Sequence, residues 1–208
     1  PRVRHFHARW RGRIRGSPTD PWMPFTAEQH NFPLEGARFF LMLARRGGLP
    51  VHVFHAFRDG DASMRVRLLS LIPVVTASGP ELTRAETVTI LNDLVLLAPG
   101  ALVGPGLTWK AIDERSAWVS YTLGQNTAGA TLRFNEDDEL VDFLSDDRLR
   151  SSADGKSFTR ERWSTPVRDY KAFGPFRAMG RGEGRWHPPE GDFAYIELEL
   201  LELKVNDR

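Results

Sequence analysis

Asn92 and Asp93 stand side by side just before the apolar run Leu94-Val95-Leu96-Leu97-Ala98. A helix through this segment carries an amide and a carboxyl at the border of its apolar face. Aimed inward, the pair could orient the polar head of a ligand, and burial would raise the carboxyl pKa. Aimed outward, both would bond to solvent or to neighbouring turns. Arg177 and Glu183, farther along, are the other polar groups that could share such a site, with Trp118 and Trp186 as aromatic walls.

Recognised catalytic patterns are absent. The chain has no Gly-x-Ser-x-Gly, no His-Glu-x-x-His and no phosphate-binding glycine loop. Gly180-Arg181-Gly182-Glu183-Gly184 lacks the following helix that a dinucleotide site needs. Its three glycines share one strand face, which either lets a ligand or helix approach the backbone or marks a bent strand. Asp146 and Asp147 are adjacent, so on a strand they point to opposite faces and cannot flank one bond; with Arg148 they predict a salt-bridged corner. His5 and His7 share a strand face, but the spacing supplies no third ligand from His30, His52, His55 or His187, and no metal site or cofactor is assigned. Cysteine is absent, which removes thiolate nucleophiles, Cys-ligated zinc and disulfides.

The elements that must position these groups are mostly strands. Phe6, Ala8, Trp10 and Ile14 alternate with His5, His7, Arg9, Arg11, Arg13 and Arg15, the period of a half-buried strand. The basic side of that strand could meet a polyanion. Glu197, Glu199 and Glu202 form an acidic ladder that could neutralise it if the first and last strands pair. Further strands are expected at 22–29, 37–46, 51–57 and around 64–68, a meander of about five. Thr83 followed by Glu86 reads as a capping box opening a helix over about 83–98, which Pro99-Gly100 ends. Strands return at 118–123, 128–134, 140–144 and 158–163, with a hairpin turn at Ala153-Asp154-Gly155-Lys156. Two more cover 176–186 and 193–205. In the last, the apolar set moves from even to odd positions, which predicts a β-bulge near Leu200.

The 208 residues, 41% hydrophobic and 26% charged, describe a globular chain and exclude wholesale disorder. The net charge of +1 demands neither nucleic acid nor membrane. Apart from Lys110, Lys156, Lys171 and Lys204, every basic residue other than histidine is Arg. No apolar run approaches the roughly 18 residues of a membrane-spanning helix. An anchor upstream of Pro1 is left open, as are bacterial cytoplasm and cell envelope.

About ten strands and one central helix fit a mainly β fold, a single domain over residues 1–208. Its antiparallel sheet is strongly curved into an incomplete barrel wrapped around the helix. Such a half-barrel leaves a hollow, expected to be lined by Phe39, Leu41, Leu43, Val66, Leu68, Leu91, Leu94, Trp118 and Leu132. The exposed sheet edges leave a homodimer open.

Several blocks also carry a resemblance: Trp22-Met23-Pro24-Phe25-Thr26-Ala27-Glu28-Gln29, Gly48-Leu49-Pro50-Val51, Glu86 to Leu94, Leu97-Ala98-Pro99-Gly100-Ala101-Leu102, Phe143 to Arg148 and Pro188-Pro189-Glu190-Gly191. They resemble the recurring blocks of an uncharacterised bacterial family, a domain of unknown function. The order of elements is similar to the half-barrel of periplasmic lipoprotein carriers, a shape shared by an enzyme of the violacein pathway. The expected function is non-catalytic binding or carriage of an apolar, lipid-like ligand, contacted by Asn92, Asp93, Trp118, Arg177, Glu183 and Trp186. Two alternatives stand beside it. One is an enzyme that shapes a reactive small-molecule intermediate in the same cavity; the other is a module that docks on anionic surfaces through the basic strand.

Overall fold

Alternation along β1 (Phe6–Ile14) buries Phe6, Ala8 and Trp10 and leaves the Arg side facing out. The same period organises β2 (Met23–Phe32), β3 (Ala37–Arg46), β4 (Leu49–Arg58), β5 (Asp61–Leu68) and β6 (Ile72–Ser78), an antiparallel meander of six strands. The computed structural model describes residues 2–104, 106–152 and 155–206. After β6 come helix α1 (Pro80–Leu97) and a 3₁₀ turn, Pro99–Ala101. The chain continues through β7 (Leu107–Asp113), β8 (Ser116–Leu123), β9 (Asn126–Phe134) and β10 (Leu140–Ser145). Shorter pieces follow: β11 (Leu149–Ser151), β12 (Phe158–Arg160), β13 (Trp163–Ser164), β14 (Val167–Arg168), β15 (Lys171–Phe173) and β16 (Phe176–Ala178). β17 (Arg181–Trp186) and β18 (Phe193–Val205) complete the described chain.

One 14-stranded sheet runs β6-β5-β4-β3-β2-β1-β18-β17-β13-β10-β9-β8-β7, with β14 paired to β17. Its two edges, β6 and β7, do not pair with each other, so the sheet stays open. Helix α1 links these edges in sequence and packs on β9, β5 and β6, elements drawn from both wings. A sheet that touches one helix from both wings has to curl around it. Thirteen of the 18 helical residues are buried, so α1 is enclosed rather than amphipathic in the ordinary sense.

Register shifts between Arg9 and Trp10 on β1 and between Gly184 and Arg185 on β17 bend the middle of the sheet. At the first, Arg9 faces Glu202 and Trp10 faces Leu200, so Leu201 is the extra residue of the bulge expected near Leu200. Beside it, a Cβ on Gly12 would run into the Glu197 carbonyl oxygen of β18, which is why the β1–β18 seam needs glycine there.

Four expectations are corrected. The helix begins three residues early, at Pro80, with Gly79 as N-cap and no side-chain cap. Thr83 Oγ1 instead donates to the Gly79 carbonyl at 2.9 Å and accepts the Ala62 amide at 3.0 Å. Strands β6 and β7 were not foreseen, and 158–163 and 176–186 are each broken in two. On β3 the inward side chains are Arg38, Phe40, Met42 and Ala44, because they face the inward Asn31, Gln29, Ala27 and Phe25 of β2. Phe39, Leu41 and Leu43 therefore lie on the outer face, whereas Leu91, Leu94 and Leu132 join the core. Of the turn at Ala153 to Lys156, Ala153 and Asp154 lie outside the described residues.

Candidate functional site

Between α1 and the concave face lies a partly open cavity of about 190 Å³. Trp10, Phe25 and Met42 from the meander, Leu96 and Leu97 from α1, and Met179, Ile196 and Leu198 from the far wing make its walls apolar. Gly182 and Gly184 form part of the wall, and a Cβ on either would press on Met179 or Ile196 at 2.7 Å. Bare backbone is what lets those side chains close in.

A buried hydrogen-bonded chain crosses one side of the cavity. Trp10 Nε1 donates to Gln29 Oε1 at 3.2 Å, Gln29 Nε2 to Asn31 Oδ1 at 2.9 Å, and Asn31 Nδ2 to Asp93 Oδ2 at 3.2 Å. Arg38 closes it, with Nε donating to Asp93 Oδ2 at 2.6 Å and Nη1 to Glu86 Oε2 at 3.0 Å. Gln29 and Asn31 share a face two residues apart on β2, and Glu86 and Asp93 share a face two turns apart on α1, so one guanidinium can reach both carboxylates. His55 Nδ1 lies 3.5 Å from Glu86 Oε1. Burial alone would raise the Glu86 pKa, but His55 and then Arg38 hold it far below the usual carboxylate range. Burial likewise opposes the charge of Arg38, and Asp93 and Glu86 more than offset it, so its pKa is raised.

The opposite side is less complete. Asn92 Nδ2 donates to Thr165 Oγ1 at 2.6 Å. Arg148 Nη1 donates to the Ala85 carbonyl at 3.0 Å and to Thr89 Oγ1, and its guanidinium lies over the Trp163 ring at 4.4 Å. Two donors on these cavity-lining residues, Arg148 Nε and Trp163 Nε1, are buried without a hydrogen-bond acceptor. Buried donors of this kind are costly to leave unpaired.

A profile for a family of unknown function matches residues 1–198. The chain belongs to the DUF6544 family. None of the curated proteins matches it. Among solved structures, the chain is similar to a putative outer membrane lipoprotein-sorting protein domain from Vibrio parahaemolyticus. Identity is 11% and the TM-score 0.51, over 97% of this chain and 85% of that one. A DUF1329 family protein from Desulfovibrio piger is similar at 14% identity and TM-score 0.44, over 98% and 86% of the two chains. The first likeness is one of fold, and it agrees with the carrier-like order of elements read from the sequence.

In this DUF6544 chain, Asn92, Asp93 and Glu183 line the cavity. The Glu183 carboxylate is held by Arg168 at 3.2 Å and Arg185 at 2.9 Å. Trp186 is buried behind the wall, against Trp163 and Tyr195. Trp118 and Arg177 do not reach the cavity: Trp118 is half-exposed on β8 beside Gly129, and Arg177 pairs with Glu139 over Tyr170. Sequence reasoning missed Arg38, Glu86, Arg148 and Trp163. The available signal was Gln29 and Asn31, polar residues in phase with the inward Phe25 and Ala27 of β2.

Other clusters resolve into structure. Asp146 pairs with Arg162 at 2.7 Å and Asp147 with Arg160 at 2.8 Å and Arg84 at 3.1 Å, a salt-bridged corner as expected but without Arg148, which turns to α1 and Trp163 instead. The basic stripe is neutralised: Arg11 meets Glu199 at 2.8 Å, Arg13 meets Glu197 at 2.7 Å, and Arg9 approaches Glu28 at 3.9 Å rather than its register partner Glu202. Ser164 Oγ lies 2.8 Å from His187 Nε2, and His187 Nδ1 lies 2.9 Å from Asp192 Oδ2, the order of a nucleophilic triad. Ser164, however, is only 2% exposed and does not line the cavity, so its oxygen is not presented there.

Proposed function

We propose that this chain is a non-catalytic binding protein that takes one end of an amphiphilic, lipid-like molecule between α1 and the concave sheet. The observation that carries this reading is the mainly apolar lining of the cavity, with Arg148 and Trp163 on its wall each holding a buried donor, Nε and Nε1, that a small side-chain shift would bring to an occupant's oxygen. An occupant with an apolar body and a carboxylate, ester or phosphate oxygen would satisfy both surfaces. Arg38 cannot be the anchor, since Asp93 and Glu86 already occupy it. The volume of about 190 Å³ is below the roughly 300 Å³ at which drug-sized pockets begin, so one end is enclosed and the remainder emerges through the mouth. The fold likeness to a lipoprotein-sorting domain supports the reading at the level of architecture.

A non-catalytic role is supported by Glu86, the cavity carboxylate that Arg38 and His55 hold. Acid–base work needs a group that exchanges a proton near the working pH, and Glu86 is held ionised far below it. Native mass spectrometry of the purified chain beside a denatured control, with solvent extraction of released material, tests the reading. A stoichiometric apolar adduct, or saturable binding of a fluorescent fatty acid by delipidated protein, is expected. A bare mass together with no saturable binding of fatty acids or lysophospholipids would overturn it.

A further inference from the structure

On the convex face, away from the cavity, the β1–β2 register brings His7 beside Glu28 and His30, which follow it by 21 and 23 residues. His7 faces His30 in register, and Glu28 lies two residues before His30 on the same face. One ligand atom from each of His7, Glu28 and His30 falls within 4.8 Å of the others. The His30 ring stacks on His7 with centroids 4.4 Å apart, and His5 Nε2 lies 3.3 Å from His30 Nδ1. His7 Nε2 is buried without a hydrogen-bond partner, while His7 Nδ1 is 3.7 Å from Glu202 Oε1. At 3.7 Å Glu202 stands near one ring nitrogen without hydrogen-bonding it, and the other ring nitrogen has no hydrogen-bond partner, a placement open to metal ligation.

We propose that His7 Nε2, His30 and Glu28 bind a divalent transition-metal ion, with zinc the best fit to the donor set. Two imidazoles and a carboxylate suit zinc, and three protein ligands leave one position of the tetrahedron for His5 at the rim or for water. Ligands about 2.0–2.1 Å from zinc sit roughly 3.4 Å from one another, so the donors must draw together by up to about 1.4 Å through side-chain rotation. Arg9 Nε stands 3.9 Å from Glu28 Oε1, too long to tie the carboxylate down. The ion would clip β1 to β2 across the middle of the sheet, near the start of β1.

Isothermal titration of untagged, EDTA-treated full-length protein with zinc chloride tests the site. One ion per chain is expected, with a rise in Tm on adding zinc. Affinity should fall at least about 10-fold in Glu28→Gln and further in His7→Gln and in His30→Gln. His52→Gln, on a different strand, should bind as the parent does. Glu28 is exposed, so Glu28→Gln keeps the test decisive even where a histidine variant fails to fold. The absence of stoichiometric binding, or undiminished affinity in Glu28→Gln, would overturn the proposal.

Discussion

Arg38 Nε on β3 donates to Asp93 Oδ2 on α1 at 2.6 Å, and the same guanidinium reaches Glu86 two helical turns earlier. This fork fixes both the rotation of the helix and its height over the sheet, because any other setting leaves a buried charge unpaired. The helix has no side-chain cap at its N-terminus, so its placement depends on the ion cluster and on apolar contacts.

Arg38→Met should therefore lower the unfolding free energy by about 3–5 kcal/mol, since Glu86 and Asp93 would stay buried without their cation. Urea denaturation followed by circular dichroism measures it. Adding Glu86→Leu and Asp93→Leu to Arg38→Met should recover much of the loss, because an all-apolar replacement leaves no orphaned charge.

Stability should fall in acid through Glu86. Its folded pKa is depressed, so its contribution is fully present above the ordinary value of 4.5 and is lost progressively as the pH drops below it. Hydrogen bonds from Arg13 and Arg11 also lower Glu197 and Glu199, but these groups face solvent and add little. Unfolding free energies measured between about pH 5 and pH 3 should slope downward in the parent and less steeply in Glu86→Gln. Equal slopes would remove Glu86 from the account.

Two cavity variants should separate the roles of wall and anchor. Val167 also lines the cavity, so Val167→Phe fills space and should weaken fluorescent fatty acids and their neutral alcohol analogues alike. Arg148→Met keeps the apolar volume but removes the donor, and should weaken the acid by about 10-fold while sparing the alcohol, a difference of about 1.4 kcal/mol.

Ser164→Ala should cost about 1 kcal/mol of stability, the usual worth of a hydrogen bond such as that to His187, and should leave hydrolysis of a p-nitrophenyl ester at the uncatalysed rate in both proteins. A hydrolysis rate that depends on Ser164 would restore the triad reading.

Heparin should retain the chain weakly. Arg11 and Arg13 already face Glu199 and Glu197, so replacing Arg9, Arg11 and Arg13 together by Ser should change the eluting salt concentration little.

The half-barrel was legible because its signals are local: the alternation of β1, the parity switch at Leu200 and Leu201, and Pro99 after the helix. What escaped has physical reasons. Pro73 breaks the pattern of β6, which tolerates it as an edge strand, and β7 is exposed along nearly all its length, so neither alternates visibly. On β3 both parities are apolar, and only its register with β2 decides which points inward. Arg38 reads as a surface residue from sequence, since the carboxylates that permit its burial lie 48 and 55 residues away. Glu86 was assigned to a cap because its true partner is on another element, and the metal ligands stayed apart for want of the β1–β2 register.

The seam between β1 and β18 lies in the middle of the sheet, where the Arg4 amide meets Asn206 Oδ1 at 2.7 Å across 202 residues of chain. Each wing is built from near-neighbour hairpins that can assemble as they emerge from the ribosome, but the two wings become one sheet only when the final strand arrives. Closing so long a loop is entropically costly, and such non-local pairings slow folding. Until then the nascent chain holds a six-stranded meander with β1 as an open edge, the kind of exposed template that chaperones shield during synthesis.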